Sequence, residues 1–316
     1  MSNHFGDRLC DAVKKKGTPL TVGLDPVYSQ VKAVVKSGQD VGGEVDTTVE
    51  VEAIYDFCRR VLQIVGPLVP AVKLNIAFFE KYLWQGIQTY YSLISEAKES
   101  GLEVIGDVKR GDIGHTAASY ASAHLTDYRL DGLEDVFGAD AVTINGYTGA
   151  DGIEPFAEQA NKQGKGIFVL VRTSNAGAAE LQDFADETGQ RMYEKMAEVV
   201  GRIAQRKEYI GKNGYSNIGM VVGGTSPEVT TSLRQRYDKV WFLVPGYGAQ
   251  GAGAADCVRF CKADGTGALI NASRSIIYAY QRPKYKEQFG DEWKRCIEQA
   301  VIDAKMDLAK AMQAGL

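Results

Sequence analysis

Eight short apolar runs recur along the 316-residue chain, each with at least one β-branched residue, and segments with helical spacing alternate with them. No feature narrows the possible folds more. The runs are Leu20–Asp25 (stopped by Pro26), Ala71–Asn75, Leu102–Ile105 leading into Asp107–Thr116, Ala141–Asn145, Gly166–Val171, Ile218–Val222, Val240–Val244 and Ala268–Asn271. Strands alternating with helices predict a parallel sheet with helices packed outside it. Eight units without a compositional break predict one α/β domain, a (β/α)8 (TIM) barrel over residues 1–316. A doubly wound open sheet is the alternative. It predicts a glycine-rich G-x-G-x-x-G turn after the first strand, whereas the glycine-rich loops here follow strands seven and eight.

Between the strands, Phe5–Lys16 carries Phe5, Leu9, Cys10 and Val13 at helical spacing and reads as a capping helix. Helices are expected over 49–65, 76–100, 117–124, 188–207 and 292–314, and another starts at Ser226-Pro227-Glu228. Three stretches, near 27–48, 126–138 and 277–291, read as insertions.

Composition removes several function classes. A net charge of −4 supplies no basic field for nucleic acid or anionic lipid. No run approaches about 18 apolar residues, and the polar first 16 residues do not read as a secretory signal. Five scattered cysteines without a Cys-x-x-Cys suit reduced thiols, so a cytoplasmic location is expected. Cys257 and Cys261, four apart on an expected helix, read as packing on a helix face. Only three histidines are present, at positions 4, 115 and 124. That is too few and too dispersed for a histidine metal cluster or a Ser-His-Asp triad, so no metal is expected and the chemistry falls to lysines and carboxylates.

Those residues gather at strand ends. Alternation along the third strand turns Asp107 and Lys109 the same way and Val108 the other. Asp112 follows, between Gly111 and Gly114. A charged cluster at a strand end is also what a solvated salt bridge looks like. The flanking glycines and a second lysine, Lys73, inside an otherwise apolar strand favour a site, because a lysine there needs an acid partner. Lys73, Asp107, Lys109 and Asp112 sum to zero charge, and an alternating order keeps all four ionised. Unit charges near 4 Å interact by about 4 kcal/mol at an effective dielectric of 20. Asp25 ends the first strand. After the last two strands, Gly246, Gly248, Gly251 and Gly253 open the backbone to an anion, and Gln250 and Arg274 can grip a phosphate. The alternative for Arg274 is a surface ion pair, and its position after the last strand favours the ligand role.

Taken together, Asp107-x-Lys109-x-x-Asp112-Ile113-Gly114-x-Thr116, Lys73-Leu74-Asn75, Pro245-Gly246-x-Gly248-Ala249-Gln250-Gly251 and Arg274-Ser275-Ile276 resemble the orotidine 5′-phosphate decarboxylases. Asn75–Glu80 and Arg172-Thr173-Ser174-Asn175 are similar to their longer bacterial class. The resemblance spans Leu20 to Ile277. It implies a cofactor-free conversion of orotidine 5′-phosphate to uridine 5′-phosphate, the last step of de novo pyrimidine synthesis, with Lys109 as proton donor and Asp107 against the substrate carboxylate. It implies a homodimer in which Asp112 and Thr116 serve the neighbouring site. It also implies that Asp25 and Lys73 contact the ribose, that Ser174 contacts the pyrimidine (or the adjacent Thr173, equally able to hydrogen-bond), and that Gln250 and Arg274 hold the phosphate. Two rivals stand beside it. One is a metal-dependent sugar-phosphate enzyme of the same superfamily, disfavoured by the charge of Lys73. The other is a non-catalytic phosphate-binding barrel.

Overall fold

The computed structural model describes residues 4–35, 47–129, 135–224, 227–248 and 251–315. Eight parallel strands close into a barrel in sequence order. They are β1 (Leu20–Leu24), β2 (Ala71–Asn75), β3 (Glu103–Arg110), β4 (Ala141–Ile144), β5 (Gly166–Arg172), β6 (Ile218–Val222), β7 (Phe242–Val244) and β8 (Ala268–Ala272). The expected (β/α)8 architecture is the one observed, and β8 pairs with β1 to complete it.

Alternation within the strands divides the apolar residues into two bodies. Ala71, Ile105, Ala141, Phe168, Trp241 and Leu269 point into the barrel, where they meet Phe5, Leu9, Cys10 and Val13 from the helix Phe5–Lys16. That helix stops the amino-terminal end of the barrel, with Phe5 edge-on to Phe168 at 6.1 Å between centroids. Its Arg8 grips Glu103 at the start of β3 with two hydrogen bonds of 3.0 and 3.1 Å. The second, larger body lies between strands and surrounding helices. With one end plugged, the carboxyl ends of the strands are left for a ligand.

Several boundaries differ from expectation. The 76–100 segment is two helices, Ala77–Glu80 and Leu83–Glu99. Leu83 has a left-handed φ of 54°, and Gly86 packs so closely that a Cβ there would lie 1.9 Å from the Phe79 carbonyl oxygen. The helix expected from 188 begins at Met192. Asp186 accepts N–H bonds from Thr188 and Gln190 and holds the preceding residues in a turn. Cys257 lies on a helix of five residues, Ala254–Val258, and Cys261 falls beyond its end. Both are buried, and burial pushes both thiols up to about 12. Such thiols pack but do not react at neutral pH.

His124, near the end of the helix Gly114–Leu125, predicts a pH dependence of stability. It is buried, and burial, with the positive Arg110 nearby, lowers its pKa to about 4. The folded chain therefore keeps it neutral while the unfolded chain takes up a proton near pH 6.5. Stability present above pH 6.5 is lost as pH falls toward 4, by about 3 kcal/mol in total. Urea unfolding of the wild type at pH 7 and pH 5 should differ by about 2 kcal/mol from this group. In His124→Gln that component should vanish; an unchanged pH dependence would show that other groups carry it.

Candidate active site

Charged side chains stand at the carboxyl ends of β1, β2 and β3. Lys73 on β2 is 6% exposed. Its ammonium donates to Asp107 Oδ2 at 2.8 Å and lies 3.6 Å from Asp25 Oδ1. Burial works against its charge, but Asp107 and Asp25 outweigh burial and raise its pKa. Asp107 Oδ1 accepts from Lys109 Nζ at 2.5 Å and from Thr143 Oγ1 at 2.8 Å. Burial pushes the Asp107 carboxyl up; Lys73 and Lys109 overcome that and hold it well below the usual carboxylate range. The order Asp25–Lys73–Asp107–Lys109 thus alternates in sign, and each interior charge lies between two opposite ones.

Backbone geometry aims the last member of the row. Lys109 has a left-handed φ of 47°, and the register of β3 on β4 shifts between Gly106 and Arg110. A non-glycine residue in that conformation costs of order 1 kcal/mol and is concentrated at functional sites. Thr143 on β4 supports it from both sides, accepting the Lys109 N–H at 3.1 Å while donating to Asp107. The Lys109 side chain remains about half exposed, so its ammonium is anchored yet open to a ligand.

These groups line one side of a cavity of about 430 Å³. Leu170, Val221 and Leu243 supply apolar lining, Thr173 and Ser174 line it at the end of β5, and Gly246 and Arg274 at the ends of β7 and β8. Gly246, Gly248 and Gly251 all have positive φ, as a loop presenting its N–H groups requires. The Thr173 hydroxyl is engaged with Asn175 Oδ1 at 2.6 Å and with Gln182 Nε2 at 2.9 Å. Tyr278 ties the loop after β1 in place, accepting the Val27 N–H and donating to the Asp25 carbonyl.

Of the residues expected from the sequence, Asp25, Lys73, Asp107, Lys109, Ser174 and Arg274 surround this one cavity. Gln250 lies outside the described residues. Asp112 and Thr116 do not line the cavity: Asp112 is half-buried beyond β3, its Oδ1 accepting the Ile113 N–H at 2.8 Å, and Thr116 is exposed on the following helix. The acid that completes the row of charges within the chain is Asp25. Thr143 and Asn271 also line the cavity; the only signal for them in the sequence is an inward position on a strand.

A cavity with a paired ammonium on one wall and a glycine-rich loop with an arginine on another suits a small phosphorylated substrate that develops negative charge. The sequence matches the model of the Orotidine 5'-phosphate decarboxylase / HUMPS family over residues 18–287. The chain belongs to this family. Among curated relatives, the orotidine 5′-phosphate decarboxylase of Rhodopirellula baltica is 37% identical over 305 residues, covering 96% of this chain and 98% of the relative. That of Clostridium novyi is 35% identical, again over 96% and 98%. The OMP decarboxylase structure from Leishmania donovani superimposes with a TM-score of 0.69 at 28% identity, covering 98% of this chain and 99% of the other. The similarity is thus as long as the barrel itself, and the matched region contains every charged residue of the cavity.

Proposed function

We propose that this protein is a carboxy-lyase that converts orotidine 5′-phosphate to uridine 5′-phosphate in pyrimidine biosynthesis, without a cofactor and with Lys109 as the proton donor. Family membership supports the reaction. The observation that carries the residue roles is the charged row Asp25–Lys73–Asp107–Lys109 facing the same cavity as Arg274.

The chemistry follows from that row. Breaking the bond between the pyrimidine ring and its carboxyl carbon releases neutral carbon dioxide and leaves the electron pair on a ring carbon. The ring offers that pair no sink, so a fixed cation beside it stabilises the charge as it forms. Lys109 Nζ supplies the cation and then passes a proton to the carbon; solvent reprotonates the amine. Asp107, ionised between two lysines, faces the carboxylate of the bound substrate and repels it until carbon dioxide departs. Gripping the distant phosphate through Arg274, Gln250 and the glycine-rich loop offsets the cost of bringing the two carboxylates together. In this reading Asp25 and Lys73 hold the ribose and Ser174 the pyrimidine.

The protein acts as a homodimer in the cytoplasm, with Asp112 and Thr116 completing the neighbouring subunit's site. Supporting this, the half-buried Asp112 stands next to Ile113, which is 59% exposed, and Tyr120 and Tyr147 are also large exposed side chains.

A spectrophotometric assay with orotidine 5′-phosphate tests the reaction. Uridine 5′-phosphate should form at the same rate with and without excess chelator. Loss of turnover on chelation would favour a metal-dependent sugar-phosphate chemistry, and binding without turnover a non-catalytic role.

A further inference from the structure

We infer that Asn271 is a further substrate-positioning residue, its amide oxygen accepting a hydrogen bond from a hydroxyl of the substrate's sugar. The inference rests on the proposed function and deepens it. Asn271 lies on β8, directly across from Thr21 in the ladder that closes the barrel. It is 7% exposed and lines the cavity. Its Nδ2 donates to Ser273 Oγ at 3.2 Å, leaving Oδ1 as the remaining acceptor. Among the described residues no group donates to that oxygen. Leaving a buried carbonyl without a donor is unfavourable, so a donor is expected there when the site is filled.

Neither nearby protein donor pairs with that oxygen. The Lys73 ammonium is committed to Asp107 and Asp25. The Thr21 hydroxyl, on the facing strand, is itself unpartnered and so does not reach Asn271. The backbone has meanwhile made room on this wall. Gly23, the β1 neighbour of Lys73, lies beneath Asn271 and Ser273, and a Cβ there would sit 3.2 Å from Asn271 Oδ1 and 1.9 Å from Ser273 Oγ. Any larger residue would displace both side chains.

Position along the wall selects the donor. Asn271 is three residues before Arg274 on the same strand end, and β8 adjoins β1, whose end carries Asp25. A nucleotide held by its phosphate at Arg274 and by its ribose at Asp25 and Lys73 passes its sugar over Asn271. The sugar hydroxyls are the donors on that part of the ligand; the pyrimidine N–H belongs to the opposite end, toward Ser174.

The test compares binding of uridine 5′-phosphate with its 2′-deoxy and 3′-deoxy analogues by calorimetry, in wild type, Asn271→Leu and Asn271→Asp. Wild type should prefer the ribonucleotide over at least one analogue by roughly tenfold. Asn271→Leu, similar in size but without an acceptor, should lose that preference and raise KM for orotidine 5′-phosphate more than it lowers kcat. Asn271→Asp keeps an acceptor and should keep the preference. A preference undiminished in Asn271→Leu, lost equally in both variants, or absent from wild type overturns the inference while leaving the decarboxylase reading intact. If wild type neither binds uridine 5′-phosphate nor turns over orotidine 5′-phosphate, the underlying reading fails and this assignment falls with it.

Discussion

Replacing Lys109 by alanine should lower kcat for orotidine 5′-phosphate by about 10⁴-fold or more, while uridine 5′-phosphate binds within roughly tenfold of wild type. The two effects separate because of where Lys109 sits. Its side chain is about half exposed and contributes nothing to the apolar core, so the barrel should fold as before. Asp107 keeps Lys73 at 2.8 Å and Thr143 at 2.8 Å, so its carboxylate remains paired. What disappears is an anchored ammonium whose side chain is about half exposed at the cavity. Lys109→Arg sharpens the test. The guanidinium restores a positive charge beside Asp107 but holds its proton far more tightly than an ammonium. If proton donation matters, arginine should recover binding and little turnover. Steady-state kinetics and calorimetry on the three proteins check this, and a rate unchanged in Lys109→Ala removes Lys109 from the mechanism. Lys73→Ala should behave differently. It strips a buried partner from Asp107, and breaking such a pair costs about 3–5 kcal/mol, so loss of stability accompanies loss of activity.

The contrast between the two lysines also explains which parts of the molecule were legible from the chain alone. Lys73 stands out in Ala71–Asn75 because a charge inside an apolar strand demands an acid, and alternation predicts that Asp107 and Lys109 share a face. Both follow from a period of two and the cost of burying charge. The barrel was legible for a similar reason, since eight apolar runs have few other ways to bury both faces. The acid opposite Lys73 was harder. Asp25 and Asp112 both follow strand ends, and only the pairing of β1 with β2 puts Asp25 3.6 Å from the ammonium, while Asp112 stays off the cavity. Thr143 and Asn271 were hidden for another reason: a threonine or asparagine at a strand end is common, and its role appears only once the register brings it against a neighbour. The break after Glu80 likewise depends on the contact of Gly86 with Phe79, to which helical periodicity is blind.

Asp112 leads to the second large effect. Lys109→Ala and Asp112→Ala should each be nearly inactive when pure, yet together they should recover about a quarter of wild-type activity, if chains of the two variants are unfolded, mixed and refolded. In a homodimer, random pairing would make half of the dimers mixed. If Asp112 completes the partner's site, each mixed dimer has one cavity carrying both defects and one carrying neither. If Asp112 serves its own chain, every cavity in a mixed dimer retains one defect and no activity returns. The geometry favours the first outcome. Gly111 is pressed against the next loop, where a Cβ would meet the Asn145 carbonyl oxygen at 2.8 Å, so the backbone leading to Asp112 has little freedom to swing back. Thr148 Oγ1 approaches the Asp112 carbonyl at 3.5 Å from the same loop. The carboxylate is therefore carried away from its own cavity on a braced turn, beside an Ile113 whose side chain is more than half exposed. A second subunit seated there would bury that isoleucine and receive the acid in one step. Recovery of activity in the mixture, with none in either variant refolded alone, distinguishes a shared site from a self-contained one.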